Sequence, residues 1–200
     1  MNMDIIETTY HNLVDTPSDI NEHLPVLKQY AEKCDTVTEM GVRYVVSTFA
    51  LVLAKPKKLI SIDLFHPSFY GDTSRLYAIQ NYAKTNGVDY KFVMGNTLNN
   101  DIEQTDMLFI DTLHVYGQLK KELEKHASKV NKYIVFHDTT TFEYQDEKHY
   151  YNVDALDTSK TGLWPAIQEF LDSHKEWEIL ERRTNNNGLT ILQKKTCVSS

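Results

Sequence analysis

The chain has 200 residues, of which 41% are hydrophobic and 24% charged, with a formal net charge of −7. These proportions suit a single globular domain with a self-sufficient core and argue against a disordered chain. The acidic balance disfavours a nucleic-acid partner, which needs a basic face. Cys34 and Cys197 form no CxxC or Cys/His cluster, so no structural zinc is expected and both read as reduced thiols of a cytoplasmic protein.

The first residues, Met-Asn-Met-Asp-Ile-Ile-Glu, have neither a basic start nor an apolar run, unlike a signal peptide. A helical extension is expected within residues 1–34, its helix running from about Ser18 to Lys33. A strand follows at Thr36–Glu39, a turn at Gly41 and a helix over Val46–Leu53. The apolar-rich stretch Val42–Ala54 is too short to span a membrane and contains Arg43 and Ser47, so no membrane partner is expected. Pro56 stops the helix, and Lys58–Asp63 reads as a buried strand. A helix from Thr73 to Thr85, closed by Asn86-Gly87, leads to a strand at Val88–Met94. Met107–Asp111 is apolar until its final acid. Tyr116–Val130 has Leu119, Leu123, Ala127 and Val130 on one helical face, and Lys132–His137 is the fifth strand. Residues 139–161 show no period, and a loop of that length in a compact domain suggests a functional lid carrying Tyr144, His149, Tyr150 and Tyr151. A helix over Gly162–Ser173 and strands at Glu176–Arg182 and Gly188–Gln193, joined by an Asn187-Gly188 turn, complete the chain. The alternation predicts one doubly wound α/β domain over 1–200, a mostly parallel seven-stranded sheet ending in an antiparallel C-terminal strand, with helices on both faces.

In such sheets ligands bind beyond the carboxyl ends of the strands. The first strand ends Glu39-Met40-Gly41-Val42-Arg43, with Ser47 in the next helix, and the second ends Ser61-Ile62-Asp63. Gly41 permits a tight turn, and an acid at Asp63 suits ribose hydroxyls. The Gly-x-Gly-x-x-Gly fingerprint is absent, which disfavours a pyrophosphate ligand such as NAD. A ligand with a ribose and a zwitterionic tail fits better. These motifs resemble those of class I S-adenosylmethionine-dependent methyltransferases, and more narrowly the branch that includes the cephalosporin hydroxylase-like and macrolide-sugar O-methyltransferases. The resemblance spans Thr36 to Gln193, with one glycine where many members have two or three. It implies S-adenosyl-L-methionine as cofactor, with Glu39 near its methionine end, Asp63 on the ribose, and Gly95, Asn96 and Thr97 bordering the adenine.

The fourth strand leads into Asp111-Thr112-Leu113-His114 and the fifth into His137-Asp138-Thr139. Two carboxylates at neighbouring strand ends suit Mg²⁺ or Mn²⁺, and a cation would acidify an acceptor hydroxyl while a histidine takes its proton. The resemblance to sugar O-methyltransferases implies Asp111 and Asp138 as metal ligands and His114 as the base. His137 stands where the family often has an acid, so it either ligates a softer metal, orients Asp138 or packs. Taken singly, Asp111 also reads as a helix cap, His114 as a structural histidine and Asp138-Thr139-Thr140 as a turn. The expected activity is O-methylation of a sugar or other polyhydroxylated small molecule or glycan, by a chain for which a homo-oligomer is one option. A metal-independent O- or N-methyltransferase and a non-catalytic module with a nucleoside pocket are the alternatives.

Overall fold

A computed structural model describes residues 5–71, 73–147 and 156–195. His149, Tyr150, Tyr151 and Cys197 lie outside the described residues. The elements in chain order are α1 (Ile5–Asp15), α2 (Leu24–Ala31), β1 (Thr36–Met40), α3 (Ser47–Leu53), β2 (Lys58–Asp63), α4 (Ser74–Asn86), β3 (Asp89–Met94), β4 (Thr105–Ile110), α5 (Tyr116–His126), β5 (Val130–His137), α6 (Leu163–Ser173), β6 (Trp177–Arg183) and β7 (Leu189–Lys194). The sheet order is β3-β2-β1-β4-β5-β7-β6. β1 to β5 pair in parallel, and β7 runs antiparallel to both β5 and β6. This is the expected doubly wound architecture with a reversed C-terminal strand.

The differences from the sequence expectation have physical causes. The stretch expected as one helix from Ser18 splits into a 3₁₀ turn at Asn21–His23 and the shorter α2, with Pro25 in the first turn, where its missing N–H costs nothing. α1 precedes it and buries Ile6 and Tyr10 against α3. The segment is therefore part of the core rather than an appendage. α5 ends at His126, and Val130, expected on its face, instead opens β5. Val130 is fully buried either way, and burial alone does not separate a buried helix from a buried strand.

Strand alternation sorts the core into two layers. Val37, Leu59, Phe109 and Val135 face α1, α2, α3 and α4, whereas Met40, Ile62, Ile110 and Phe136 face α5 and α6. The β3–β4 crossover carries no helix. It leaves a cavity of about 400 Å³ against Ile60, Ile62 and Val93, floored by Asn99 to Glu103. Among the described residues, no helix is long and apolar enough to cross a membrane.

The mouth of β1 is fixed from two sides. Glu39 is fully buried, and its carboxylate accepts hydrogen bonds from Ser47 Oγ (2.5 Å), Thr48 Oγ1 (2.9 Å) and Ser61 Oγ (2.6 Å). Gly41 has φ +87°, and a Cβ built there would lie 1.8 Å from the backbone oxygen of Asp111. The glycine is thus demanded by backbone packing against the end of β4. A side chain would have to push two strand ends apart.

Two predictions follow from these contacts. Gly41→Ala combines left-handed strain with a backbone collision and should cost about 3 kcal/mol or more. Gly87→Ala, at φ +73° with nothing within 4 Å, should cost only about 1 kcal/mol. Urea unfolding of both variants checks the contrast, and equal losses would refute it. Second, burial outweighs the three hydroxyl donors and lifts Glu39 from 4.5 to about 7. An acid raised on folding binds its proton more tightly when folded, so stability falls as pH climbs from 4.5 through 7, by about 3 kcal/mol. Glu39→Gln should abolish that part of the slope. The variant should gain on the wild type between pH 5 and pH 8, and a pH-independent difference would contradict the assignment.

Candidate functional site

Parallel register aligns the strand mouths. Met40 sits beside Ile62 and Ile110, and Ile110 sits beside Phe136. The next residues, Gly41, Asp63, Asp111 and His137, therefore emerge along one edge of the sheet. The Asp111 N–H donates to the Met40 carbonyl at 2.8 Å, extending the ladder one residue past β4. Because Ile110 and Phe136 face α5 and α6, alternation sends Asp111 and His137 to the other face, next to each other.

The nucleoside-side residues expected from sequence fall into three groups. Asp63 is buried and already engaged. Its Oδ2 accepts from the backbone N–H groups of Val42 (2.7 Å) and Arg43 (2.9 Å), and Oδ1 accepts from that of Phe65 (2.9 Å). The acid thus pins the Gly41 turn, where Arg43 and Val45 both take positive φ (43° and 61°), conformations unusual for any residue and strained for a β-branched one. Ser47 is spent on Glu39. Gly95 and Asn96 form the turn after β3, with the Gly95 N–H donating to the Asp63 carbonyl (2.8 Å) and Asn96 Oδ1 accepting from the Leu98 N–H (2.8 Å). Thr97 is buried, and its hydroxyl donates to Glu122 Oε1 (2.6 Å). Glu122, from α5, also accepts from Gln118 and from Thr112 after β4. It ties the mouths of β3 and β4 together, and sequence reading passed it over as an ordinary helix acid.

Asp111, His114 and Asp138 each bring one donor atom to within 4.8 Å of the other two. His114 Nε2 lies 3.3 Å from Asp111 Oδ1 and 2.9 Å from Asp138 Oδ2. Its Nδ1 lies 2.9 Å from Glu147 Oε2, and its ring stacks on Phe142 with centroids 4.7 Å apart and planes 4° apart. Asp138 takes φ +60°, which turns the chain sharply at the end of β5. An acid tolerates this better than most residues. His137 is almost wholly buried, with Nδ1 3.5 Å from Asp111 Oδ1 and 3.4 Å from Asp138 Oδ1. Those distances are too long and poorly aligned for hydrogen bonds, and His137 Nδ1, His137 Nε2 and Asp138 Oδ1 are buried without hydrogen-bond partners.

The electrostatics follow from this crowding. Burial opposes charge on His114, but hydrogen bonds to Asp111, Asp138 and Glu147 outweigh it and raise the imidazole to about 12. His137 rises to about 10 against its own burial, chiefly through the charge of Asp111. Burial would raise Asp111, yet the two imidazoles hold it well below the usual carboxylate range. With carboxylates on both ring nitrogens, His114 has no free lone pair. Sequence expects His114 as the proton acceptor, and in the structure both of its ring nitrogens face carboxylates. Glu147, Phe142 and His23, which meets His137 edge to face at 5.3 Å, were not singled out from sequence. Phe142 and Glu147 come from the loop without periodic pattern, and His23 from a stretch expected as helix that forms a 3₁₀ turn instead.

The hairpin turn at Asn185–Gly188 braces this corner. The Asn187 carbonyl accepts from the N–H groups of Thr140 (2.8 Å) and Thr141 (3.0 Å). Asn186 bonds the segment before α2 at Ser18 and Glu22, and Asn185 bonds Glu22 Oε2. The turn that sequence marks only as a hairpin thus holds both the Asp138 turn and His23.

No protein-family model matches the chain, and no curated protein matches it in sequence. Solved structures match its shape. A protein from Corynebacterium glutamicum aligns with TM-score 0.64 at 11% identity, covering 100% of this chain and 94% of its own. The O-methyltransferase TomG from Streptomyces achromogenes, involved in tomaymycin synthesis and solved with S-adenosylmethionine, aligns with TM-score 0.59 at 15% identity over 98% and 92%. The methyltransferase PaMTH1 from Podospora anserina, bound to S-adenosylhomocysteine, aligns with TM-score 0.56 at 14% identity over 97% and 89%. The chain has the Rossmann-like fold of the class I O-methyltransferases.

Proposed function

We propose that the chain transfers the methyl group of S-adenosyl-L-methionine to a hydroxyl of a sugar or another polyhydroxylated small molecule, assisted by a divalent cation, Mg²⁺ or Mn²⁺. One observation carries this reading. The glycine turn after β1 and the carboxylate cluster after β4 are in backbone contact, since a Cβ on Gly41 would overlap the Asp111 carbonyl oxygen. A cofactor seated on the first and an acceptor held at the second would lie side by side. The buried, unpartnered His137 Nδ1 and Asp138 Oδ1 fit a cation there, because buried polar atoms are otherwise nearly always satisfied.

S-adenosyl-L-methionine supplies an electrophilic methyl group, and a bound cation supplies Lewis acidity that lowers the pKa of an acceptor hydroxyl. The remaining work falls to the chain. Asp63 holds the turn through three backbone N–H groups and keeps a lone pair on Oδ1 for a ribose hydroxyl. Glu39 anchors α3 beneath the turn through Ser47 and Thr48. Gly95, Asn96 and Thr97 frame the far side. Asp111 and Asp138 supply anionic oxygens at the acceptor end. The acceptor class rests on the sequence resemblance to sugar O-methyltransferases.

Calorimetry with S-adenosylhomocysteine should show binding at one site per chain, and no heat at saturating protein would sink the reading. On an acceptor found by screening glycans and polyols, Asp111→Asn should lower kcat/KM on the order of a hundredfold while leaving S-adenosylhomocysteine affinity within about threefold. Activity that survives exhaustive chelation would remove the cation from the proposal, and tight cofactor binding with no turnover on any acceptor would mark a non-catalytic module.

A further inference from the structure

We infer that the cluster at the mouths of β4 and β5 is a mixed site of two imidazoles and two carboxylates, selective for a borderline transition metal over Mg²⁺, with His114 as a ligand and Glu147 as its positioning residue. The inference deepens the methyltransferase reading and rests on it only for the cation's purpose. Mg²⁺ favours oxygen ligands and keeps its waters, whereas imidazole nitrogen favours the later divalent metals.

Two features point to nitrogen ligation. The first is the engagement of His114. Its Nδ1 faces Glu147 Oε2 at 2.9 Å, and its Nε2 faces the Asp111 and Asp138 carboxylates. A carboxylate behind one ring nitrogen, with the other aimed at the donor cluster, is the arrangement that orients metal-bound histidines and raises their basicity. Glu147 also accepts from the His114 backbone N–H at 3.3 Å, so both the ring and its main chain are held. A general base needs its reactive nitrogen directed at substrate. Here it is directed at the two carboxylates a cation would share.

The second is His137. Its side chain is 1% exposed, and Nδ1 points between Asp111 Oδ1 and Asp138 Oδ1 without bonding either. A buried nitrogen left unpaired costs stability unless something occupies the gap. A Lewis acid shared by Nδ1 and the two oxygens would satisfy all three. The position is held from behind by the ring of His23, which is itself fully buried.

The test uses the full chain stripped by a chelator and titrated with Co²⁺ alone and with Mg²⁺ alone, followed by visible absorption and calorimetry. Co²⁺ should give ligand-field bands at one equivalent that Mg²⁺ displaces only in large excess. His137→Asp should shrink the preference for Co²⁺ on the order of tenfold, and Glu147→Gln should weaken Co²⁺ binding about tenfold. Pulsed electron paramagnetic resonance of the wild-type Mn²⁺ complex should show directly bound nitrogen. That measurement does not depend on a buried variant folding. Displacement of Co²⁺ by equimolar Mg²⁺, or a Mn²⁺ spectrum without bound nitrogen, overturns the inference. S-adenosylhomocysteine calorimetry on the same preparation separates the two readings. Cofactor binding with an unselective metal sinks only this inference, whereas a selective metal without cofactor binding sinks the methyltransferase reading.

Discussion

The site depends on the contact between the Gly41 turn and the end of β4. The ladder between β1 and β4 continues one hydrogen bond past the strands, from the Asp111 N–H to the Met40 carbonyl, and the missing Cβ of Gly41 lets the Asp111 carbonyl sit where a side chain would be. This clasp sets the distance between the Gly41 turn and the carboxylate cluster after β4. Everything around it resists change. Asp63 holds the turn by its backbone, Glu39 holds the helix that follows, and Glu122 ties the next two strand mouths. Three buried carboxylates thus serve as fasteners at the strand ends. Helices and strands carry their own backbone hydrogen bonds, but strand mouths do not, so buried acids there are matched to hydroxyls and free N–H groups.

The second layer of the site is an unusual concentration of charge. Asp111, Asp138 and Glu147 surround His114, and His137 shares two of them. The neighbouring carboxylates raise both imidazoles against their own burial. A divalent cation bound there, as proposed, would supply positive charge in place of the imidazole protons. Metal ligation requires neutral imidazole, so cation and protons compete for the same nitrogens.

The fold was legible because hydrophobic runs and their punctuation carry it. Lys58–Asp63 reads as a strand to the residue, and the reversed last strand follows from Asn187-Gly188 between two short apolar runs. Asp63, Asp111 and Asp138 were also visible in the sequence as acids at strand ends, and the structure brings those ends to one sheet edge. What sequence did not give was their state. Nothing in Asp-x-x-His says that a carboxylate 33 residues away will take the free nitrogen of that histidine, because Glu147 lies in a stretch with no period to fix its place. His23 was hidden for a similar reason. It belongs to a 3₁₀ turn between two short helices, where one-face spacing has no meaning. Gly41 was correctly marked as conformationally special, but its reason is the neighbouring backbone, a long-range contact that local pattern does not encode.

The brace formed by Asn185, Asn186 and Asn187 shows how such distant residues are brought to the site. A type of turn that needs only Asn-Gly to reverse the chain here carries three asparagines; the side chains of Asn185 and Asn186 bond outward to Ser18 and Glu22, and the Asn187 backbone carbonyl accepts from Thr140 and Thr141. Through this one corner the N-terminal segment, the end of β5 and the last hairpin share a register. His23 therefore sits behind His137 for the same reason that Asp138 turns where it does. Asp138, Asn186 and Asn187 all take left-handed φ, which Asp and Asn adopt readily, and the Asn187 carbonyl ties the two turns through Thr140 and Thr141. That mutual support is what a site with charges within 3 to 4 Å of one another requires, since its neutralising geometry fails if any one of its walls moves.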